Sequence, residues 1–265
     1  MLPLVDKPLI QYGVEECLDS GIENVIVVTG RGKAAIEDHF DKSFELEHEL
    51  KERGKTNELE MARRISDLAR VSYIRQKEPL GLGHAVGVTK ELVGEEAFAV
   101  ILADDVIRSQ TPCIRQLVNI HDYFGAAVIA VMEVPSERIS SYGVVDAKPM
   151  EFSGSHDRLF RVNDLVEKPA VADAPSNLAI IGRYVLPPRI FDCIDELEPG
   201  SGGELQLTDA IRKLIARAPV YAYRFEGTRY DAGNKQEFLR ATVEFALARE
   251  DLGAAFREYL KGLEL

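Results

Sequence analysis

A chain of 265 residues, 46% of them hydrophobic, is long enough to bury a substantial core, and its formal net charge of −12 repels a polyanion over most of the surface, which argues against nucleic acid as a partner. No apolar run reaches the ~18 residues that span a bilayer, and the N-terminal MLPLVDKP lacks the charged region and apolar stretch of a secretion signal, so no membrane association and a cytoplasmic location are expected. Cys17, Cys113 and Cys193 are far apart in sequence with no CxxC spacing, which indicates small buried hydrophobes rather than disulfides or a zinc site.

In chain order, apolar strand-like runs at Val25 to Thr29, Val71 to Gln76, Phe98 to Ala103 and Ala126 to Glu133 alternate with helical patterns. Such alternation predicts an α/β fold with a mostly parallel sheet flanked by helices. Between 43 and 68 the chain is highly charged, rich in helix formers and interrupted by Gly54, and reads as a helical excursion with a solvated face. From about 140 to 205 the pattern changes to strand-like pieces, Tyr142 to Asp146, Leu159 to Glu167 and Leu178 to Val185, typical of a mixed or antiparallel insertion. Helices return near the end: Leu207, Ile211, Leu214 and Ile215 share one stripe, as do Leu239, Val243 and Ala246, and then Leu252, Phe256 and Leu260 within the last stretch of 234–265. The whole of 1–265 is expected to form a single domain.

Several short segments carry residues suited to phosphate and sugar chemistry. Asp104 and Asp105 follow an apolar strand, and ligands gather at the carboxyl ends of strands in such sheets. Asp104 reads as a ligand for a hard cation such as Mg²⁺ or as a turn former, with Asp105 bonding loop backbone. Gly81, Gly83 and His84 stand between a strand and a helix, where glycine permits close backbone approach; His84 reads as a phosphate donor or as a helix-start or core histidine. Gln76 at the strand end offers the donor and acceptor edge that a pyrimidine needs. Glu167 and Lys168 precede Pro169 and suit a sugar hydroxyl and a phosphate, but adjacent strand residues face opposite ways, so they serve one ligand only at a strand end or bulge. Asp231 reads as a second metal carboxylate or as the N-cap of the next helix. Glu204, in Ser201-Gly202-Gly203-Glu204, reads as a substrate contact or as a complement to the helix dipole.

Taken together and in order, MLPLVDKPLIQY, FDKSFELE, GLGHAV, ILADDV, YGVVD, VEKP, SNLAIIGRYVL, GGELQLTDAI and DAGNK resemble bacterial UTP–glucose-1-phosphate uridylyltransferases over essentially the whole chain. The resemblance implies a glycosyltransferase A-type nucleotide-binding fold and the formation of UDP-glucose and pyrophosphate from UTP and glucose 1-phosphate. It implies uracil recognition by Gln76 and Gly81, Mg²⁺ held by Asp104 and Asp231, and glucose 1-phosphate received by Gly143, Glu167 and Lys168. Gly182 and Glu204 would line the sugar pocket, within a homodimer or homotetramer. Members of this family begin with a strand and a glycine-rich loop whose arginine and lysine grip the triphosphate. Met1 stands directly after that stretch, so the expectation is a chain inactive as given, or one using Lys7 or Lys33 instead. A non-catalytic nucleotide-sugar-binding or subunit-assembly role and thymidylyl transfer are the alternatives.

Overall fold

The computed structural model describes residues 1–151, 157–200 and 203–263. Its first half alternates strand and helix: β1 (Pro3–Leu4), β2 (Lys7–Pro8), α1 (Leu9–Asp19), β3 (Asn24–Thr29), α2 (Ala34–Phe40), α3 (Phe44–Glu52), α4 (Thr56–Ser66) and β4 (Arg70–Arg75). There follow α5 (Leu82–Gly87), α6 (Lys90–Val93), β5 (Phe98–Ile101), β6 (Asp105–Arg108), α7 (Cys113–Phe124) and β7 (Ala127–Glu133). The second half contributes β8 (Gly143–Pro149), β9 (Leu159–Glu167), β10 (Leu178–Leu186), α8 (Ile190–Asp195), α9 (Leu207–Ile215), β11 (Val220–Arg224), β12 (Thr228–Asp231), α10 (Lys235–Ala248) and α11 (Gly253–Lys261).

The main sheet runs β5-β10-β7-β11-β9-β8, with two-stranded sheets β3-β4, β6-β12 and β1-β2 beside it. The α/β architecture follows from the alternation, but the mostly parallel pairing does not. Within the main sheet only β7 and β11 pair in parallel, and β3 with β4 is the other parallel pair among the described residues. The reason lies in β10, which pairs antiparallel with both β5 and β7. Strands β5 and β7 do share a direction, as helix-linked strands should, but a strand from much later in the chain is wedged between them. All nine residues of β10 are buried, so its near-continuous apolar run reports burial on both faces rather than its neighbours. Among the described residues β5, at one edge of the main sheet, has no strand partner but β10, and in the separate β3-β4 sheet each strand pairs only with the other.

Local sequence explains most boundaries. The charged segment forms the α3–α4 hairpin, in which Ser43 caps α3 by accepting the Leu46 N–H at 3.4 Å and Gly54 turns at φ 65°. In α9, Leu207, Ile211 and Leu214 are buried in the main core, each side chain removed from water contributing about 1.5–3 kcal/mol. For α10 the sequence reading holds in part. Ala246 of the expected stripe is buried, together with Ala241, but Leu239 is 65% exposed, and it is the partly buried rings of Phe238 and Phe245 that pack beside Ala241 with Leu4, Val106 and Tyr230. Cys17, Cys113 and Cys193 are all buried free thiols; burial pushes the Cys17 thiol up to about 12. No helix among the described residues is long and apolar enough to cross a membrane.

Candidate functional site

Five stretches of chain converge on one cleft of about 340 Å³: the turn after β5, the start of β8, the end of β9, the middle of β10 and the end of β12, with the start of α9 along one wall. The run Phe98 to Ala103 contains one strand, β5, which stops at Ile101; after a turn Asp105 opens β6. The turn is fixed by the Leu102 N–H donating to Gly182 O at 2.9 Å and the Asp105 N–H donating to Leu102 O at 3.2 Å. Antiparallel pairing of β6 with β12 sets Asp105 opposite Asp231, and the Ala232 N–H donates to Asp104 O at 2.8 Å. Asp104 and Asp231 thereby reach the same cleft from sequence positions far apart.

The three carboxylates divide their work. Asp105 is buried; it accepts from Gly182 N–H at 3.1 Å and from Arg229 Nε at 2.7 Å, so both its oxygens are spent. Asp231 is not the cap of α10: Asn234 accepts from the Gln236 and Glu237 N–H groups instead, leaving Asp231 to accept from Gly233 N–H at 2.9 Å and to face Arg229 at 3.4 Å. Asp104 makes no side-chain hydrogen bond or ion pair to another described residue. Burial, with Asp105 and then Asp231 as further causes, raises its carboxyl above the usual carboxylate range. No cluster of three or more His, Cys, Asp or Glu suited to a metal occurs among the described residues. Two carboxylates facing a cleft, with remaining positions open to phosphate oxygens and water, fit Mg²⁺ rather than a metal that demands a full protein cage.

Opposite them lies the pair Glu167 and Lys168. The strand alternation that would separate them is broken at the end of β9, where Lys168 adopts φ 44°, a left-handed conformation uncommon for a residue with a side chain. Its N–H donates to Tyr142 O at 3.1 Å. The result is that both side chains line the cleft, with Lys168 Nζ 3.8 Å from Glu167 Oε1 and 62% exposed. Glu167 Oε2 accepts from Thr208 Oγ1 at 2.9 Å. Gly143 and Gly182 make the floor. A Cβ on Gly143 would stand 3.1 Å from Glu167 Oε2, and one on Gly182 only 2.6 Å from Leu102 Cβ. Gly182→Ala is therefore expected to destabilise the protein by about 1–3 kcal/mol through overpacking against the Asp104 turn; an unchanged urea midpoint would contradict that close approach.

Gln76, Gly81 and His84 form a separate cluster, joined to the cleft through Leu82 and Gln206. Gln76 Nε2 donates to Gly81 O at 3.1 Å and meets His84 Nδ1 at 3.0 Å. With both amide hydrogens committed, Gln76 Oε1 is left as an unspent acceptor, and the Gly81 N–H makes no hydrogen bond among the described residues. His84 orients Gln76. Glu204 lies outside the cleft, bonded by Gln206 Nε2 at 2.8 Å. Its neighbour Leu205 is stitched to the glycine segment, the Leu205 N–H donating to Leu80 O at 2.7 Å and the Gly83 N–H to Leu205 O at 2.8 Å. Ser201 and Gly202, part of the same sequence reading, lie outside the described residues. Lys7 pairs with Glu15 at 2.6 Å, a structural use, while Lys33 has no ion pair among the described residues.

Sequence reading missed two arginines. Arg229 lines the cleft, bonding Asp105 and, at 3.0 Å, Tyr142 Oη. Arg183 sits in the middle of β10, 1% exposed, paired with Glu16 of α1 at 2.8 Å. A signal was present: a charged residue inside the otherwise apolar run LAIIGRYVL, since a buried arginine needs partners for its donors.

The nucleotidyl transferase family model matches residues 1–247. The chain belongs to that family. Among curated relatives of this nucleotidyl transferase, a UTP–glucose-1-phosphate uridylyltransferase of Bacillus subtilis is 49% identical over 263 residues, covering 99% of this chain and 88% of the relative. Among solved structures, a UDP-glucose pyrophosphorylase complexed with UDP-glucose matches with TM-score 0.84 and 41% identity, over 94% of this chain and 90% of that one. A UTP-bound UGPase from Acinetobacter baumannii matches with TM-score 0.89 and 36% identity, over 100% and 91%.

Proposed function

We propose that this nucleotidyl transferase joins the uridylyl group of UTP to glucose 1-phosphate, and that the cleft between Asp104, Asp231, Glu167 and Lys168 is where it does so. The observation that carries the reading is the convergence of two metal-suited carboxylates with a sugar-suited carboxylate and an exposed ammonium on one cleft, in a chain whose relatives carry that activity in their names. A phosphate oxygen of glucose 1-phosphate attacks the α-phosphorus of UTP, the bond to the bridging oxygen breaks, and pyrophosphate leaves. Lys168 holds the attacking phosphate as a point charge, Glu167 accepts from sugar hydroxyls, and Thr208 keeps that carboxylate in place. Gln76 Oε1 and the Gly81 N–H meet the N3–H and a carbonyl of the uracil edge, an acceptor and donor pair that mismatches cytosine. Asp104 and Asp231 would hold Mg²⁺, which would supply Lewis-acid neutralisation of the phosphoryl oxygens.

Pyrophosphate release from UTP plus glucose 1-phosphate tests the reading. Turnover with UTP and none with CTP is expected; no turnover with either would sink the reading and leave a binding role. Because thymine presents the same edge as uracil to Gln76 and Gly81, a dTTP arm separates uridylyl from thymidylyl transfer.

A pH dependence follows from Asp104. Its raised carboxyl makes the proton a competitor of the cation, so Mg²⁺ affinity is full above the raised pKa and fades as pH falls through it. The Mg²⁺ concentration for half-maximal rate is expected to climb as pH is lowered stepwise from neutrality; a flat profile would contradict the assignment.

A further inference from the structure

Arg183 does not line the cleft, yet it governs the turn that carries Asp104. Its Nε donates to the two Glu16 oxygens at 3.2 and 3.0 Å, and its Nη2 to Glu16 Oε2 at 2.8 Å. Nη1 donates to Leu102 O at 3.0 Å and Gly182 O at 3.1 Å, and Nη2 to Asp105 O at 2.7 Å. Leu102 and Asp105 flank Asp104, so one guanidinium grips the turn on both sides of the carboxylate that faces the cleft. Glu16 is anchored in turn: its Oε1 accepts the Ile114 N–H at 3.1 Å, at the start of α7. α1, α7, β10 and the turn thus meet at a single ion pair.

Stability alone is a poor account of such a pair, because desolvating two charges offsets most of the attraction they gain. What the planar fork provides is direction: several donors at fixed angles, which a lysine's point charge does not reproduce. We infer that Arg183, anchored by Glu16, is a positioning residue for the cation ligand Asp104, setting metal affinity without touching metal or substrate. This rests on the reading of Asp104 and Asp231 as cation ligands.

The test is a Mn²⁺ titration followed by electron paramagnetic resonance, with UDP-glucose present, on the parent, Arg183→Lys, Glu16→Gln and Asp104→Asn. Folding is checked by circular dichroism, and metal-free UDP-glucose binding by calorimetry. Arg183→Lys and Glu16→Gln are each expected to weaken Mn²⁺ binding about tenfold, the lower end for losing a residue that orients a metal ligand, with metal-free UDP-glucose binding unchanged. If Arg183→Lys does not fold, Glu16→Gln decides alone, since it keeps the side-chain shape and an oxygen for the Ile114 N–H. Parent-like Mn²⁺ affinity in the folded variants, with Asp104→Asn weakened, overturns the inference and leaves the cation reading standing. An equal loss of metal-free UDP-glucose binding also overturns it, marking general damage to the cleft. Parent-like affinity in Asp104→Asn removes the cation reading and this inference together.

Discussion

Asp104→Asn and Asp231→Asn are each expected to lower Mg²⁺-dependent pyrophosphate release by about a hundredfold or more. Neutralising charge on transferring phosphoryl oxygens is worth several kcal/mol, and each ~1.4 kcal/mol is a factor of ten in rate. The two amides are close in shape to the carboxylates they replace, so folding should survive. Asp104 has no side-chain partner to lose; Asp231 gives up its contact with Arg229 but keeps an oxygen for the Gly233 N–H. Asp105→Asn would be a different experiment, because Asp105 is buried against Arg229 and the Gly182 N–H, so its loss disturbs the turn itself and leaves Arg229 with only Asp231, at 3.4 Å, as a carboxylate partner. Rates near those of the parent in both Asp104→Asn and Asp231→Asn would remove the metal assignment.

Lys168→Gly is expected to separate function from stability. Glycine adopts φ 44° without the roughly 1–2 kcal/mol penalty that an L-residue bears there, and the lysine's exposed head forms only a loose contact with Glu167 at 3.8 Å. Thermal stability should therefore hold or rise. Activity should fall: with the ammonium gone, kcat/KM for glucose 1-phosphate is expected to drop about a hundredfold, the KM for UTP changing little. The measurement is steady-state kinetics with each substrate varied, beside a thermal melt. Full activity in a stable Lys168→Gly protein would show that the strained backbone serves something other than delivery of this ammonium.

That strain marks where sequence reasoning reached and where it stopped. Adjacency of Glu167 and Lys168 posed a geometric condition, a strand end or bulge, and the end of β9 meets it through a backbone angle that no pattern of residue types encodes. The helix of Leu207, Ile211 and Leu214 was legible because periodicity reports burial directly. In α10 the same logic placed Ala246 in the core but also Leu239, which is exposed, because the packed face is shared with Phe238 and Phe245 rather than with the leucine. Strand direction was legible from helix-linked alternation, but the insertion of β10 between β5 and β7 depends on long-range pairing to which local periodicity is blind. Asp104, Asp231, Gly143, Glu167, Lys168 and Gly182 all reach the cleft, while Gln76, Gly81 and His84 gather beside it. Glu204 is drawn away because its loop is hydrogen-bonded to Leu80 and Gly83. Asp231 escaped the capping role because Asn234, three residues on, takes it.

Crystals of the protein grown with UDP-glucose and Mn²⁺, measured at a wavelength where manganese scatters anomalously, test the account most directly. It predicts one strong anomalous peak within coordination distance of Asp104 and Asp231, glucose against Gly143 and Glu167, and uracil at Gln76 and Gly81. A peak held by other residues, or the nucleotide sugar bound outside this cleft, would contradict it.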